Sequence, residues 1–183
     1  KHAPGVRNRD VKKTATLAMI TCLAYVVMLV SKLMPSVNDC LDFDFKDVVI
    51  CIGGFVYGPA AAAVSLVVAF IEMITISTTG PWGFLMNFLA TASFCCTACF
   101  IYKKHHTMKG AVIGLILGVI ALVCVMLLWN YLVTPIYQKV PREALVDMRL
   151  PVFLPFNAVQ GGMNLAATLL LYKPLVAALR LAH

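Results

Sequence analysis

A chain of 183 residues that is 61% hydrophobic and only 13% charged is too apolar for a soluble domain, where roughly 45–50% and 25% are usual. Its formal charge of +7 gathers at the ends of apolar runs, not along one basic face, which excludes a nucleic-acid-binding reading. Runs of about 20 apolar residues match a bilayer core of roughly 30 Å, and the absence of repeated alternating segments excludes a membrane barrel, so the expected fold is an all-α integral membrane protein.

In chain order, residues 1–13 read as a cytoplasmic tail, irregular over KHAPGVRNRD, and residues 14–183 as a single transmembrane domain. Span one is predicted over 14–34, followed by the polar loop PSVNDCLDFDFK. Span two covers 47–57 and ends at Gly58-Pro59, because proline removes a helix donor and clashes with the preceding turn. Span three covers 60–77, the turn STTGPWG follows, and span four covers 84–102. The basic turn KKHHTMK leads to span five over 110–137, and the loop QKVPREALVDMR to span six over 150–171.

Charge sidedness supports six transmembrane helices. With an even count, both termini and the 103–109 turn share a side that holds ten of the fifteen Lys and Arg residues. The opposite side holds five, together with six of the eight acids. The positive-inside rule therefore places both termini in the cytoplasm and the aspartates of LDFDFKD outside.

That external stretch mixes acids with aromatics. If it is extended, Leu41, Phe43 and Phe45 point one way and Asp42 and Asp44 the other, as a lid would with its apolar face over a pocket. A solvated loop is the alternative, with Asp47 capping span two. A calcium loop lacks its glycine and terminal glutamate here. Within the spans, the costly polar residues are Glu72, Asn87, Asn130, Asn157, Gln160 and Asn164. Amides offer donors and an acceptor together, which suits a neutral ligand rich in carbonyls and hydroxyls, and Asn157 and Gln160 share a helix face. Helix-to-helix hydrogen bonding is their structural alternative. Glu72 is placed to pair with Lys32 or Lys46, or to join a site.

The seven cysteines fall mostly inside apolar runs and form no disulfide framework. Cys95, Cys96 and Cys99 have no histidine or acid beside them in the span, so they read as buried thiols and no metal site is expected. Thr14, Ala18 and Cys22 recur every four residues, a spacing of small side chains that lets another helix approach closely. No nucleotide loop, nucleophile elbow or zinc motif is present, so neither ATP use nor catalysis is expected of the chain itself.

The stretches LDFDFKDVVICIGGFVYGPAAAA, STTGPWGFLMNFLA, LLWNYLVTPIY, LPFNAVQGGMN and LYKPL carry, in this order, a resemblance over residues 12–180. The chain resembles the substrate-binding S component of an energy-coupling factor vitamin transporter, above all the riboflavin-binding members. The resemblance implies an outward-facing vitamin pocket beneath the first external loop, lined by spans four to six. It implies that Asn130 and Asn157 bind the flavin, with Gln160 standing where the related PFNxxK pattern carries lysine. Leu41, Phe43, Asp44, Phe45, Glu72, Trp82 and Asn87 are the further candidates around that pocket. The implied partners are riboflavin, a transmembrane coupling subunit docked on Thr14, Ala18 and Cys22, and a pair of ATPase subunits, in the bilayer of a prokaryotic cell membrane. No cofactor is implied beyond the transported riboflavin. Another vitamin, or a flavin phosphate, is the alternative ligand; a small membrane enzyme using Glu72 or the external aspartates is the alternative class.

Overall fold

The computed structural model describes residues 4–33, 43–58, 60–75, 80–139 and 141–181. They are helical almost throughout, with no strand among the described residues: α1 (Pro4–Ser31), α2 (Lys46–Tyr57), α3 (Ala60–Thr75), α4 (Gly80–Lys104), α5 (Met108–Leu132), α6 (Thr134–Gln138), α7 (Arg142–Met148) and α8 (Leu154–Leu181). A five-residue π-helix, Arg149–Phe153, leads into α8. Three stretches, Val11–Ser31, Gly80–Lys104 and Met108–Ile136, are long and apolar enough to cross a bilayer, and Ala62–Thr75 is a shorter apolar helix. Large apolar side chains such as Met19, Ile74, Phe100 and Leu170 face outward, as lipid contact requires.

The boundaries depart from the sequence expectations in several places: the first helix ends at Ser31 instead of near 34, and the fourth starts at Gly80, inside the expected turn, instead of at 84. The tail expected to be irregular is helical from Pro4, a residue that suits the first helical turn. The fifth span is interrupted at Val133, beside Pro135, and resumes as the short α6. The loop expected over 138–149 contains α7. The last helix runs through Pro174 to Leu181 instead of ending near 171. By contrast, the break between the second and third helices falls at Gly58, whose φ of 68° is left-handed and is tolerated best by glycine.

The short α2 is the hub of the bundle and packs on α1, α3, α4 and α8. Nine of its twelve residues are buried. At roughly 1.5 Å per residue it is shorter than a bilayer core, so its polar first turn lies inside the protein rather than in lipid. Helices α4 and α5 form an antiparallel pair that turns at Thr107, whose hydroxyl accepts from the Gly110 N–H at 3.1 Å. Gly114 and Gly118 permit their close approach. A Cβ on either would lie 2.7 Å from the Ala98 carbonyl oxygen or 2.8 Å from that of Phe94.

The alternating helices give the bundle two ends of different chemistry. The end of α1, the starts of α2, α4 and α8, and the ends of α3 and α5 meet at a polar end. At the other, Phe55, Tyr102 and Tyr172 pack ring on ring, and the Tyr102 and Tyr172 hydroxyls lie 2.7 Å apart.

Candidate functional site

Buried charge marks the polar end. Lys46, Asp47 and Glu72 are each only 3–4% exposed, which is unfavourable unless every one has a partner. Lys46 forms an ion pair with the carboxylate of Asp44. Glu72 pairs with Lys32 at 2.9 Å and accepts a further bond from the Asn87 amide at 2.9 Å. Asp47 accepts from the Thr91 hydroxyl at 2.6 Å and from the Asn164 amide at 3.3 Å. Two of these partners come from α4 and one from α8, so the charged groups of α2 and α3 tie four helices together.

Asp47 does not cap α2, contrary to the sequence expectation. The helix starts one residue earlier, at Lys46, and the residue before it, Phe45, makes no side-chain capping bond. Asp44 supplies the missing acceptor instead: its carboxylate takes the Lys46 backbone N–H at 2.8 Å as well as the Lys46 ammonium. Asp47 lies within the first turn, where its charge suits the positive helix end, and reaches sideways into the core.

The segment 43–45 folds against the bundle. Phe43 lies 5.2 Å, ring to ring, from Phe156 of α8. Phe45 packs beside Val48 and Ile52, and its N–H donates to the Ser31 hydroxyl at 3.2 Å. Both aromatics are half-buried, although Phe45, with φ −100° and ψ 4°, is not extended as strict alternation would require. Leu41, the remaining apolar residue of the expected lid, lies outside the described residues.

Helix α8 presents Asn157, Gln160, Asn164 and Thr168 at intervals of three and four, all buried on one face. The Asn157 amide donates to the Phe153 carbonyl at 2.7 Å, and on α5 the Asn130 carbonyl accepts from Thr134 at 3.0 Å. Among the described residues these contacts engage one end of each amide, the Asn157 nitrogen and the Asn130 oxygen. The Gln160 side chain is bonded to the backbone of Asp44 at both ends. Two buried atoms lack a partner among the described residues, the Asn164 carbonyl oxygen and the Trp129 indole nitrogen.

Most expected site residues therefore gather at this end. Glu72 takes Lys32 from the two lysines open to it, and Asn87 donates to the same carboxylate, a helix-to-helix bond between α4 and α3. Trp82, near the start of α4, is 39% exposed. Lys46, open to Glu72 in the sequence, pairs with Asp44 instead, and Thr91 and Phe156 carry no sequence signal of a site on their own. Thr91 is four residues after Asn87, a helical repeat that could have revealed it.

The expected docking residues Thr14, Ala18 and Cys22 are exposed along α1. A cavity of about 200 Å³ lies at the opposite, aromatic end, lined by residues that include Phe55, Tyr102, Lys103 and His106. Cys95 and Cys99 are buried thiols as expected, together with Cys51, whereas Cys96, expected to be buried with them, is half-buried because it turns toward the side of α4; no metal-binding group of His, Cys, Asp and Glu occurs among the described residues.

The family model for the ECF transporter substrate-specific component matches residues 12–172. The chain is 33% identical to a Bacillus subtilis protein named riboflavin transporter FmnP, over 94% of this chain and 98% of the relative. It is 31% identical to a Staphylococcus aureus protein named riboflavin transporter RibU, over 90% of each. A solved structure described as the S component of a bacterial ECF transporter superposes with a TM-score of 0.78 at 31% identity, covering 93% of this chain and 98% of that one.

Proposed function

Because the chain belongs to the ECF transporter substrate-specific components, we propose that it captures riboflavin at the polar end and delivers it to an ATP-driven coupling module. Members of this family are transport components and not enzymes. The observation that carries the choice of ligand is that, among the described residues, Lys46, Asp47 and Glu72 each have an internal partner, while amides and aromatics surround them.

A site of that kind suits a neutral molecule with a flat ring and many hydrogen-bonding groups, which describes riboflavin. A cationic vitamin would favour an uncommitted carboxylate, and a vitamin carboxylate would favour an uncommitted lysine or arginine. Asn130 and Asn157 are the polar ligands in this reading, and Phe43 and Phe45 cover the ring.

The same reading gives six membrane crossings with both termini in the cytoplasm, in the cell membrane of a prokaryote. It also gives a coupling subunit docked on the exposed Thr14, Ala18 and Cys22 face, with a pair of ATPases beneath it. The test is to purify the protein in detergent from a flavin-containing culture and record its visible absorbance. A yellow preparation that releases one riboflavin per chain on denaturation is the expected result. A colourless protein that also fails to quench the fluorescence of added riboflavin would overturn the ligand assignment.

A further inference from the structure

We infer that Gln160 is a latch: its side-chain amide holds the main chain of the 43–45 segment closed against α8, and so sets how fast ligand enters and leaves. The geometry is a reciprocal pair. The Asp44 N–H donates to the Gln160 carbonyl oxygen at 3.2 Å, and the Gln160 amide donates back to the Asp44 carbonyl oxygen. One side chain thus exchanges two bonds with one residue's backbone, as paired residues do across an antiparallel ladder. Gln160 is only 8% exposed, so water competes poorly for either bond.

The remaining anchors of the segment go elsewhere. The Phe45 N–H is held by Ser31 of α1, and the Asp44 carboxylate by Lys46 of α2. To α8 the segment is held by Gln160 and by the contact of Phe43 with Phe156. Phe156 is the neighbour of Asn157 in the chain, so the latched segment lies against the turn of α8 that carries a proposed ligand contact. Ring packing is tolerant of sliding, whereas two opposed hydrogen bonds fix register and direction.

The chemistry requires an amide. A lysine at this place has donors and no acceptor, and would answer only the Asp44 carbonyl. A carboxylate would answer only the N–H. Gln160 is therefore a positioning residue whose effect on ligand runs through Asp44.

The inference deepens the riboflavin reading and rests on it for the kinetic consequence alone. The first readout is hydrogen exchange of the Asp44 amide in ligand-free protein, comparing the original chain with Gln160→Met, which keeps the volume, and with Gln160→Ala. Exchange roughly tenfold faster in both variants is expected from the loss of two shielded bonds. Unchanged exchange in both overturns the latch, whatever the protein binds. The second readout is stopped-flow quenching of riboflavin fluorescence. Association and dissociation both accelerating is the expected result. Faster dissociation with unchanged association in both variants overturns the inference, because it makes Gln160 a direct ligand contact.

Discussion

At the polar end, Lys46, Asp47 and Glu72 are buried with counter-groups drawn from Lys32 just beyond α1, from α4 and α8, and from the 43–45 segment. At the aromatic end, α2, α4 and α8 meet through Phe55, Tyr102 and Tyr172, whose ring centroids lie 4.5–5.9 Å apart. The same helices thus solve burial twice, once by pairing charge and once by fitting shape. Charge pairing is conditional: remove one member and its partner remains buried without compensation. Ring packing degrades gradually, since each contact is small and neighbours can shift. A site that must accept and release a ligand fits the first end, where bonds can be exchanged one for one.

The largest expected effect breaks this contrast at Asp47. Asp47→Ala removes the acceptor of Thr91 and Asn164 and a negative charge beside Lys46, all inside the core. Loss of one member of a buried charged network typically costs about 3–5 kcal/mol. Thermal unfolding in detergent should show it as a large drop in Tm, and Asp47→Asn, which keeps one of the two acceptors, should recover part of it. A drop as small as that of a surface substitution would mean that the network does not hold the helices together.

Next comes the α4–α5 contact, which is shape alone. Gly114→Val places atoms where the Ala98 carbonyl already lies, 2.7 Å from the new Cβ, and overpacking of this kind costs about 1–3 kcal/mol. The same unfolding assay should find a loss smaller than that at Asp47.

How much of this was legible in the sequence depends on the interaction involved. The membrane class, the helix break at Gly58 and the buried thiols follow from local composition and backbone sterics, which neighbouring residues settle. The amides of α8 were visible because their spacing is helical. The pairing of Glu72 with Lys32 was among the readings the sequence offered, whereas Asp47 was misread for a physical reason. A loop aspartate before a helix reads as a solvated cap, and nothing within a few residues of Asp47 shows that Thr91 and Asn164, 44 and 117 residues away, will meet it. The Asp44–Gln160 pair spans 116 residues and is hidden in the same way. Local signals give the helices, and long-range pairing gives the site.

A third prediction sharpens the contrast by changing function without changing stability. Asn130→Ala and Asn157→Ala each remove an amide whose bond among the described residues is local, to Thr134 and to Phe153. Riboflavin affinity, measured by fluorescence quenching, should fall about tenfold for each, the size of one hydrogen bond to a neutral partner. Tm without ligand should move little. A fall in Tm comparable with that of Asp47→Ala, with affinity retained, would move both residues from the ligand to the scaffold.

The smallest effect tests the other end. Tyr102→Phe deletes one hydroxyl from the 2.7 Å contact with Tyr172 and leaves every ring contact of Tyr102 in place. The expected cost is about 0.5–1.5 kcal/mol, the net worth of an ordinary hydrogen bond. Riboflavin affinity should be unchanged, because Tyr102 lies on the last turn of α4 while Asn87 and Thr91 lie toward its start. If affinity falls with Tyr102→Phe, the two ends are coupled through α4 and α8. The aromatic cluster would then bias the ligand site from the far side of the bundle, and charge and shape would be two halves of one device.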